Sequence, residues 1–116
     1  MGSEALNDLT TGGDNVAIGY GAADGLTVIS DAIFIGTNAG GAVTTGNTGG
    51  GDTPDGSIGI GSGALGGSTF GRGNIAIGYN ALPATGAAGV HRNTVVGYSA
   101  MAGVGSNGAT DNVFIG

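Results

Sequence analysis

Few residues in this 116-residue chain are of the types that carry out chemistry. Cysteine is absent and His91 is the single histidine, so a zinc site built from thiolate and imidazole ligands is excluded. His91 precedes Arg92 in a turn-rich segment, where we expect it to be solvated. The segment 61–66 matches G-x-G-x-x-G formally, but it lacks the helix and the later acidic residue of a dinucleotide site. No nucleophile elbow and no P-loop occurs, and nothing indicates a Ser-His-Asp triad. The sequence therefore predicts no catalytic residue, no bound cofactor and no enzymatic activity.

The closest pair of carboxylates in a loop is Asp52 and Asp55, in the glycine-rich segment 49–56. Carboxylates and turn carbonyls are ligands for calcium, which makes this pair a calcium candidate. Its spacing matches neither an EF-hand nor the calcium-binding nonapeptide repeat, so we interpret both residues as polar turn formers. The same pair is the one acidic pair available to a polysaccharide-cleaving protein, although a glycosidase groove normally needs a larger scaffold.

Composition excludes several classes of partner. Glycine supplies 29 of 116 residues, charged residues are 9%, and eight acids against two bases give a net charge of −6. A nucleic-acid partner is not expected, because affinity for phosphates depends on clustered Lys and Arg. No apolar run approaches the roughly 20 residues needed to cross a bilayer, so no membrane insertion is expected.

The chain is an internal repeat, and this feature predicts its fold. Five-residue segments ending in glycine align at 15–19, 32–36, 57–61, 74–78, 93–97 and 112–116, and the start of the chain fits the same phase. Spacings of 17, 17, 25, 17, 19 and 19 residues separate the repeat glycines Gly2, Gly19, Gly36, Gly61, Gly78, Gly97 and Gly116. The repeat fills residues 1–116 and predicts one all-β domain, a parallel β-solenoid of about six rungs in which each rung shares its core with its neighbours.

Within each repeat, a β-branched pair alternates around a smaller or aromatic residue, as in a strand with one buried face. The bulky pair is predicted to form the structural core: Val16, Ile18, Ile33, Ile35, Ile58, Ile60, Ile75, Ile77, Val96, Val113 and Ile115. The middle position is predicted to face outwards as an apolar stripe that contacts other subunits: Ala17, Phe34, Gly59, Ala76, Val95 and Phe114. Because a rod this thin buries little apolar surface per ordered residue, we expect a homo-oligomer.

A tyrosine column follows the repeat glycines, formed by Tyr20, Tyr79 and Tyr98. Aromatic rings at this position either pack rung on rung or stack on the sugar rings of a receptor, and packing is the preferred interpretation. Possible glycan contacts at these three residues stay open.

The pattern Asn-Val-Ala-Ile-Gly, followed by Tyr-x-Ala-Leu and a Thr-Gly-x-x-Asn loop, resembles the head repeats of YadA-type trimeric autotransporter adhesins. It is closer to the related repeats of bacteriophage tail-fibre and spike proteins, and the match spans essentially the whole chain. The resemblance implies a left-handed parallel β-roll, a homotrimer, and attachment at a virion or bacterial surface through a glycan or protein receptor. The sequence departs from the adhesins in that their stalk and anchor are missing and its repeats are longer and less regular. The longer, irregular repeats with Tyr-Asn-Ala-Leu favour a phage fibre.

The sequence thus predicts a non-enzymatic structural or attachment segment of a tail fibre, spike or surface adhesin. Both ends of the chain cut the repeat at the same phase, which favours a fragment of a longer fibre. An alternative is a self-assembling extracellular filament whose subunits stack head to tail. A polysaccharide-degrading spike is the third interpretation.

Overall fold

The computed structural model describes residues 2–41, 53–67, 71–83, 89–103 and 108–116. Six three-residue strands lie in these ranges and form one parallel sheet in chain order. The strands are β1 (Val16–Ile18), β2 (Ile33–Ile35), β3 (Ile58–Ile60), β4 (Ile75–Ile77), β5 (Thr94–Val96) and β6 (Val113–Ile115). The predicted all-β parallel solenoid is confirmed.

The strands stack in the register that the repeat predicts. Val16 pairs with Ile33, Ile33 with Ile58, Ile58 with Ile75, and the pairing continues through Thr94 to the last strand. The differing repeat lengths therefore change the segments between strands and leave the strand register intact.

The two faces of the sheet are the reverse of the sequence prediction. The middle residues of β1 to β5 point inwards: Ala17 is 5% exposed, Phe34 1%, and Ala76 and Val95 0%. These residues and Gly59 were predicted to contact other subunits, and that prediction is wrong. In β6, Phe114 is 37% exposed in a strand that is paired on one side. The prediction of the structural core is also wrong. The β-branched pairs lie on the outer side of the sheet: Val16, Ile18, Ile33, Ile35, Ile58, Ile60, Ile75, Ile77, Val96, Val113 and Ile115.

The reason for the reversal is that the rung interior is narrow. Alanines from the turns fill most of it, together with a few larger side chains such as Leu26, Ile29 and Leu82, all at 0% exposure. Phe34 fits inside because glycines surround it, and a Cβ built on Gly40 would lie 2.6 Å from its ring. Close packing of this kind leaves no room for two Val or Ile side chains from every strand.

A glycine column closes each strand because no other residue fits there. Gly78 has φ +134°, and a Cβ at this position would lie 2.3 Å from the carbonyl oxygen of Gly97 in the next rung. Gly19, Gly36 and Gly61 meet the same obstacle, with φ between +127° and +133°. The repeat glycines thus allow consecutive backbones to stack at contact distance.

Two successive turns follow the glycine that ends the strand, and they form the side of the rung opposite the sheet. Ala81 donates its N–H to the carbonyl of Gly78 at 3.3 Å, and the third residue of that turn, Asn80, has φ +50°. The residue two positions on, Leu82, also has positive φ, at +49°. Left-handed residues carry a conformational free-energy cost. Hydrogen bonds between rungs offset this cost, such as the one from Asn80 N–H to Ser62 C=O at 2.8 Å.

An asparagine ladder lies inside the solenoid just before the strands. Asn74 and Asn93 are both 0% exposed. The Asn74 side chain donates to the carbonyl of Val90 at 2.6 Å, and its Oδ1 accepts the Asn93 backbone N–H at 3.1 Å. Asn93 repeats the arrangement with the Asn112 N–H at 3.0 Å. Each side chain therefore satisfies backbone groups of the next rung.

Candidate interaction face

The outer side of the sheet is a nearly continuous aliphatic surface. We call it the aliphatic face and define it by the first and third residues of the six strands: Val16, Ile18, Ile33, Ile35, Ile58, Ile60, Ile75, Ile77, Thr94, Val96, Val113 and Ile115. Along the stack these side chains form two ranks with one pair per rung, about 4.8 Å apart. Thr94 is the only polar residue among the twelve.

The aliphatic face is partly exposed in the single chain. Val16 is 43% exposed, Ile18 49%, Ile60 36% and Ile77 38%. The other residues of β2 to β5 on this face are intermediate: Ile33, Ile35, Ile58, Ile75, Thr94 and Val96. Val113 and Ile115 reach 70% and 81% in β6, which is paired on one side. Large contiguous apolar patches of this kind are uncommon on soluble monomers and usually mark an interaction site. Sequence reasoning missed this face. The signal was present as the small residue between the bulky pairs of three strands, Ala17, Gly59 and Ala76, which indicates a narrow interior.

The predicted tyrosine column lies beside the aliphatic face. Its three residues directly follow the repeat glycines Gly19, Gly78 and Gly97. The rings of Tyr79 and Tyr98 stack with centroids 5.1 Å apart and an interplanar angle of 15°. Tyr20 stands apart from them because Thr37 and Ser62 hold the column positions in the rungs between. A hydrogen bond to the Glu4 carboxylate raises the pKa of Tyr20 above its ordinary value. The ring face of Tyr79 towards Tyr98 is thus occupied within the chain.

A groove of about 410 Å³, lined by glycine, asparagine and aspartate, runs along the stack on the side formed by the two turns. Asn38 and Asn80 enter it from alternate rungs, and each lies over a glycine in the preceding rung. A Cβ on Gly21 would lie 2.5 Å from Asn38 Oδ1, and one on Gly63 would lie 3.4 Å from Asn80 Oδ1. The complete lining comprises Gly21, Asp24, Asn38, Gly41, Gly63, Gly66 and Asn80.

Of the predicted calcium pair, Asp52 lies outside the described residues. Asp55 is engaged in the fold: its Oδ1 accepts the Ser30 backbone N–H at 2.8 Å, and its Oδ2 accepts the Thr53 hydroxyl. These bonds support the interpretation of Asp55 as a turn-forming residue. Among the described residues, no group of three or more His, Cys, Asp or Glu side chains is placed to hold a metal ion.

His91 forms a parallel β-bridge with Thr110, Arg92 lies in the bend that follows, and both take part in contacts between rungs. The His91 Nδ1 accepts the Arg72 backbone N–H at 3.3 Å. Arg92 forms a bidentate ion pair with Asp111 in the next rung, with distances of 2.7 and 2.9 Å. The hydrogen bond from Arg92 lowers the pKa of Asp111, and the same bond raises the pKa of Arg92. These contacts tie neighbouring turns together at the surface.

The comparisons with known proteins add no assignment. No family model, no curated protein and no solved structure matches this chain. No helix in the described part of the chain is long and apolar enough to cross a membrane. Functional inference therefore depends on the geometry of the solenoid and its aliphatic face.

Proposed function

We propose that this chain is a structural segment of an attachment fibre, in which three copies associate through their aliphatic faces. The segment acts as a rod in a phage tail fibre or spike or in a bacterial surface adhesin, and it has no enzymatic activity. The observation that carries the proposal is the exposed aliphatic face, in a solenoid whose own interior is already filled.

The size of the face supports association with further copies of the chain. Complete burial of a Val or Ile side chain removes about 80 Å² from water, so a partly exposed one offers at most about 40 Å² to a partner. The tyrosines beside the face are 53–76% exposed and add about 100 Å² each. The total is about 700 Å² per copy, which a trimer divides between two neighbours, so each contact is smaller than the ~800 Å² per partner of a standard interface. Association on this face therefore depends on both neighbours together, as in a closed ring.

The two-rank layout favours a closed ring of three copies. In a trimer around an axis parallel to the solenoid, each copy offers one rank to each of its two neighbours, and every rung repeats the same contact. The absence of Lys, Arg, Asp and Glu from all twelve positions of the face is consistent with burial at such a junction. Trimerisation also thickens a thin rod, because three solenoids then share one additional apolar core.

The corrected geometry changes which residues mediate this association. Glutamate at Ile18 and Ile77 together should prevent assembly, because the charges would be buried against apolar partners. The matched control is Thr11→Glu, which adds a charge at an exposed position outside the aliphatic face. Sedimentation equilibrium should give one-chain mass for the double variant and three-chain mass for the control. Three-chain mass for both proteins would refute the proposed interface.

The attachment role is tested separately with the assembled protein. An array of bacterial surface polysaccharides should retain the wild-type oligomer, and the dissociated double variant should bind less because it loses multivalency. Failure of the oligomer to bind any glycan or bacterial surface would leave a structural rod and remove the receptor-binding part of the proposal. Release of reducing ends from a polysaccharide would contradict the non-enzymatic assignment.

A further inference from the structure

The asparagines of the groove on the turn side differ from those of the buried ladder. In the ladder the asparagines occupy consecutive rungs, so that Asn93 Nδ2 donates to Asn74 Oδ1 at 3.2 Å. In the groove, Asn38 and Asn80 lie two rungs apart, with Gly63 in the rung between them. About 10 Å separates the two rungs, which is too far for one amide to bond the other. Neither side-chain amide has a hydrogen-bond partner among the described residues.

The backbone donors of the groove are already used. Every residue of the lining donates its backbone N–H within the chain. Asn38 and Asn80 donate to the preceding rung at 2.8 Å, and Gly63 does so at 2.9 Å. Gly41 donates to the carbonyl of Asn38 at 3.1 Å, within the same turn. An extended peptide would therefore find no backbone N–H groups in the lining to pair with, which disfavours recognition by strand addition.

The charge of the groove favours an uncharged ligand. Among the described residues that line it, Asp24 is the charged one and none is Lys or Arg. The chain as a whole carries a net charge of −6, so an anionic polymer would be repelled and would meet no basic partner in the lining. A carboxamide both donates and accepts hydrogen bonds, and a hydroxyl group does the same. Amides and one carboxylate over a glycine floor are thus suited to the hydroxyls of a neutral sugar chain.

The groove lies on the side of the rung opposite the sheet. Copies that associate through their aliphatic faces therefore leave the groove open on the outside of the fibre, whereas the tyrosine column lies beside the junction between copies. The lining spans four rungs, about 14 Å along the stack, which gives room for a short stretch of a polysaccharide.

We propose that this groove binds an uncharged polysaccharide that lies along the fibre axis. The side-chain amides of Asn38 and Asn80 form hydrogen bonds with hydroxyls of the same sugar chain. The inference rests on the proposed function and deepens it, since it names the class of receptor and the site that holds it. A trimer presents three such grooves, so a surface coated with the polysaccharide is bound multivalently.

An array of uncharged and acidic bacterial polysaccharides tests the class of ligand. The assembled wild type should bind at least one uncharged chain and none of the acidic chains. The double variant Asn38→Gly with Asn80→Gly removes both amides and keeps the left-handed backbone, now at φ +54° and +50°. Titration calorimetry with the uncharged polysaccharide that the array identifies should give an affinity at least about fivefold lower for this variant than for the wild type.

Two glycine variants test the groove itself. Gly63→Asn adds an amide in the rung between Asn38 and Asn80, and its Cβ would lie 3.4 Å from Asn80 Oδ1, an ordinary contact distance. Three asparagines in consecutive rungs then bond one another as in the buried ladder, so the affinity should fall at least as far as in the double variant. The matched control is Gly103→Asn, at φ +77°, where a Cβ meets nothing within 4 Å and lies outside the groove. The control should bind as the wild type does.

Light scattering on the same proteins separates this inference from the proposed function. The groove variants and the control should keep the three-chain mass, because their changes lie away from the aliphatic face. Unchanged affinity in the Asn38→Gly, Asn80→Gly variant, or binding confined to acidic chains, would overturn the groove site and leave the assembly intact. A three-chain wild type that binds no uncharged polysaccharide would also overturn it. A one-chain mass for the wild type would refute the proposed assembly, whereas loss of binding in the double variant would still support the groove.

Discussion

Substitution of Gly78 by alanine tests the stacking of the corner glycines. At φ +134° an alanine is strained by about 1–3 kcal/mol. Its Cβ would also lie 2.3 Å from the Gly97 carbonyl oxygen, so the two backbones must separate. Separation weakens the hydrogen bonds from Gly78 N–H to Ile60 and from Gly97 N–H to Ile77, now 2.8 and 2.9 Å long, at about 0.5–1.5 kcal/mol each. We expect Gly78→Ala to lower the free energy of unfolding by about 2–6 kcal/mol.

Urea denaturation followed by circular dichroism measures this loss. All variants must be compared at one protein concentration, because association makes the apparent stability depend on concentration. The matched control is Gly13→Ala, since a Cβ at Gly13 meets nothing within 4 Å. The control should be neutral or stabilise the fold by about 0.4–1 kcal/mol through the unfolded chain. Equal stability losses for the two variants would refute the account of the glycine column.

Two further predictions concern contacts between rungs. Asn74→Ala removes the partners of the Val90 carbonyl and the Asn93 N–H inside the solenoid, and thermal unfolding should show a loss of about 2–4 kcal/mol; an unchanged melting temperature would contradict the ladder's role. The lowered pKa of Asp111 means that its ion pair adds stability above the unfolded pKa of about 3.9, and that this contribution is lost as pH falls through the folded value. Carboxyl NMR should show that Arg92→Gln returns the titration midpoint of Asp111 towards 3.9, and an unmoved midpoint would contradict the pairing.

Much of the fold could be predicted because each rung repeats the same local rules. The repeat glycines gave the phase, and the phase gave the parallel register of all six strands. The alternation in segments such as 16–18 identified the residues that form the strands. Only a residue without a Cβ fits at the end of each strand. The spacing between the repeat glycines therefore gives the number of residues in each rung.

The inside of the rung could not be assigned from alternation alone. A period of two separates two faces but does not say which one is enclosed, and the assumption that bulky residues lie inside failed for Val16 and Ile18. The decisive quantity is the width of the interior, which depends on the double turns opposite the sheet. Residues such as Ala22, Ala39 and Ala81 fill those turns at 0% exposure, and they leave room for one side chain per strand.

The candidate site was found in part. Sequence reasoning identified an apolar stripe for contact between subunits but placed it at Ala17 and its equivalents. Of the three predicted tyrosines, Tyr79 and Tyr98 pack rung on rung, whereas Tyr20 stands apart, and contact with a glycan stays a prediction. The inward position of the Asn74 ladder was not predicted, because an asparagine before a strand also fits a surface turn.

The central claim is that exposed Val and Ile ranks join copies of this chain into a trimer. Light scattering behind a sizing column, over a dilution series of the wild-type protein, tests it most directly. We expect a mass of three chains that persists on dilution, about 32 kDa from a chain of 10.8 kDa. A mass of one chain at every concentration would show that the aliphatic face is stable in water and would contradict the claim. A mass that grows without limit would favour the filament alternative over a closed ring.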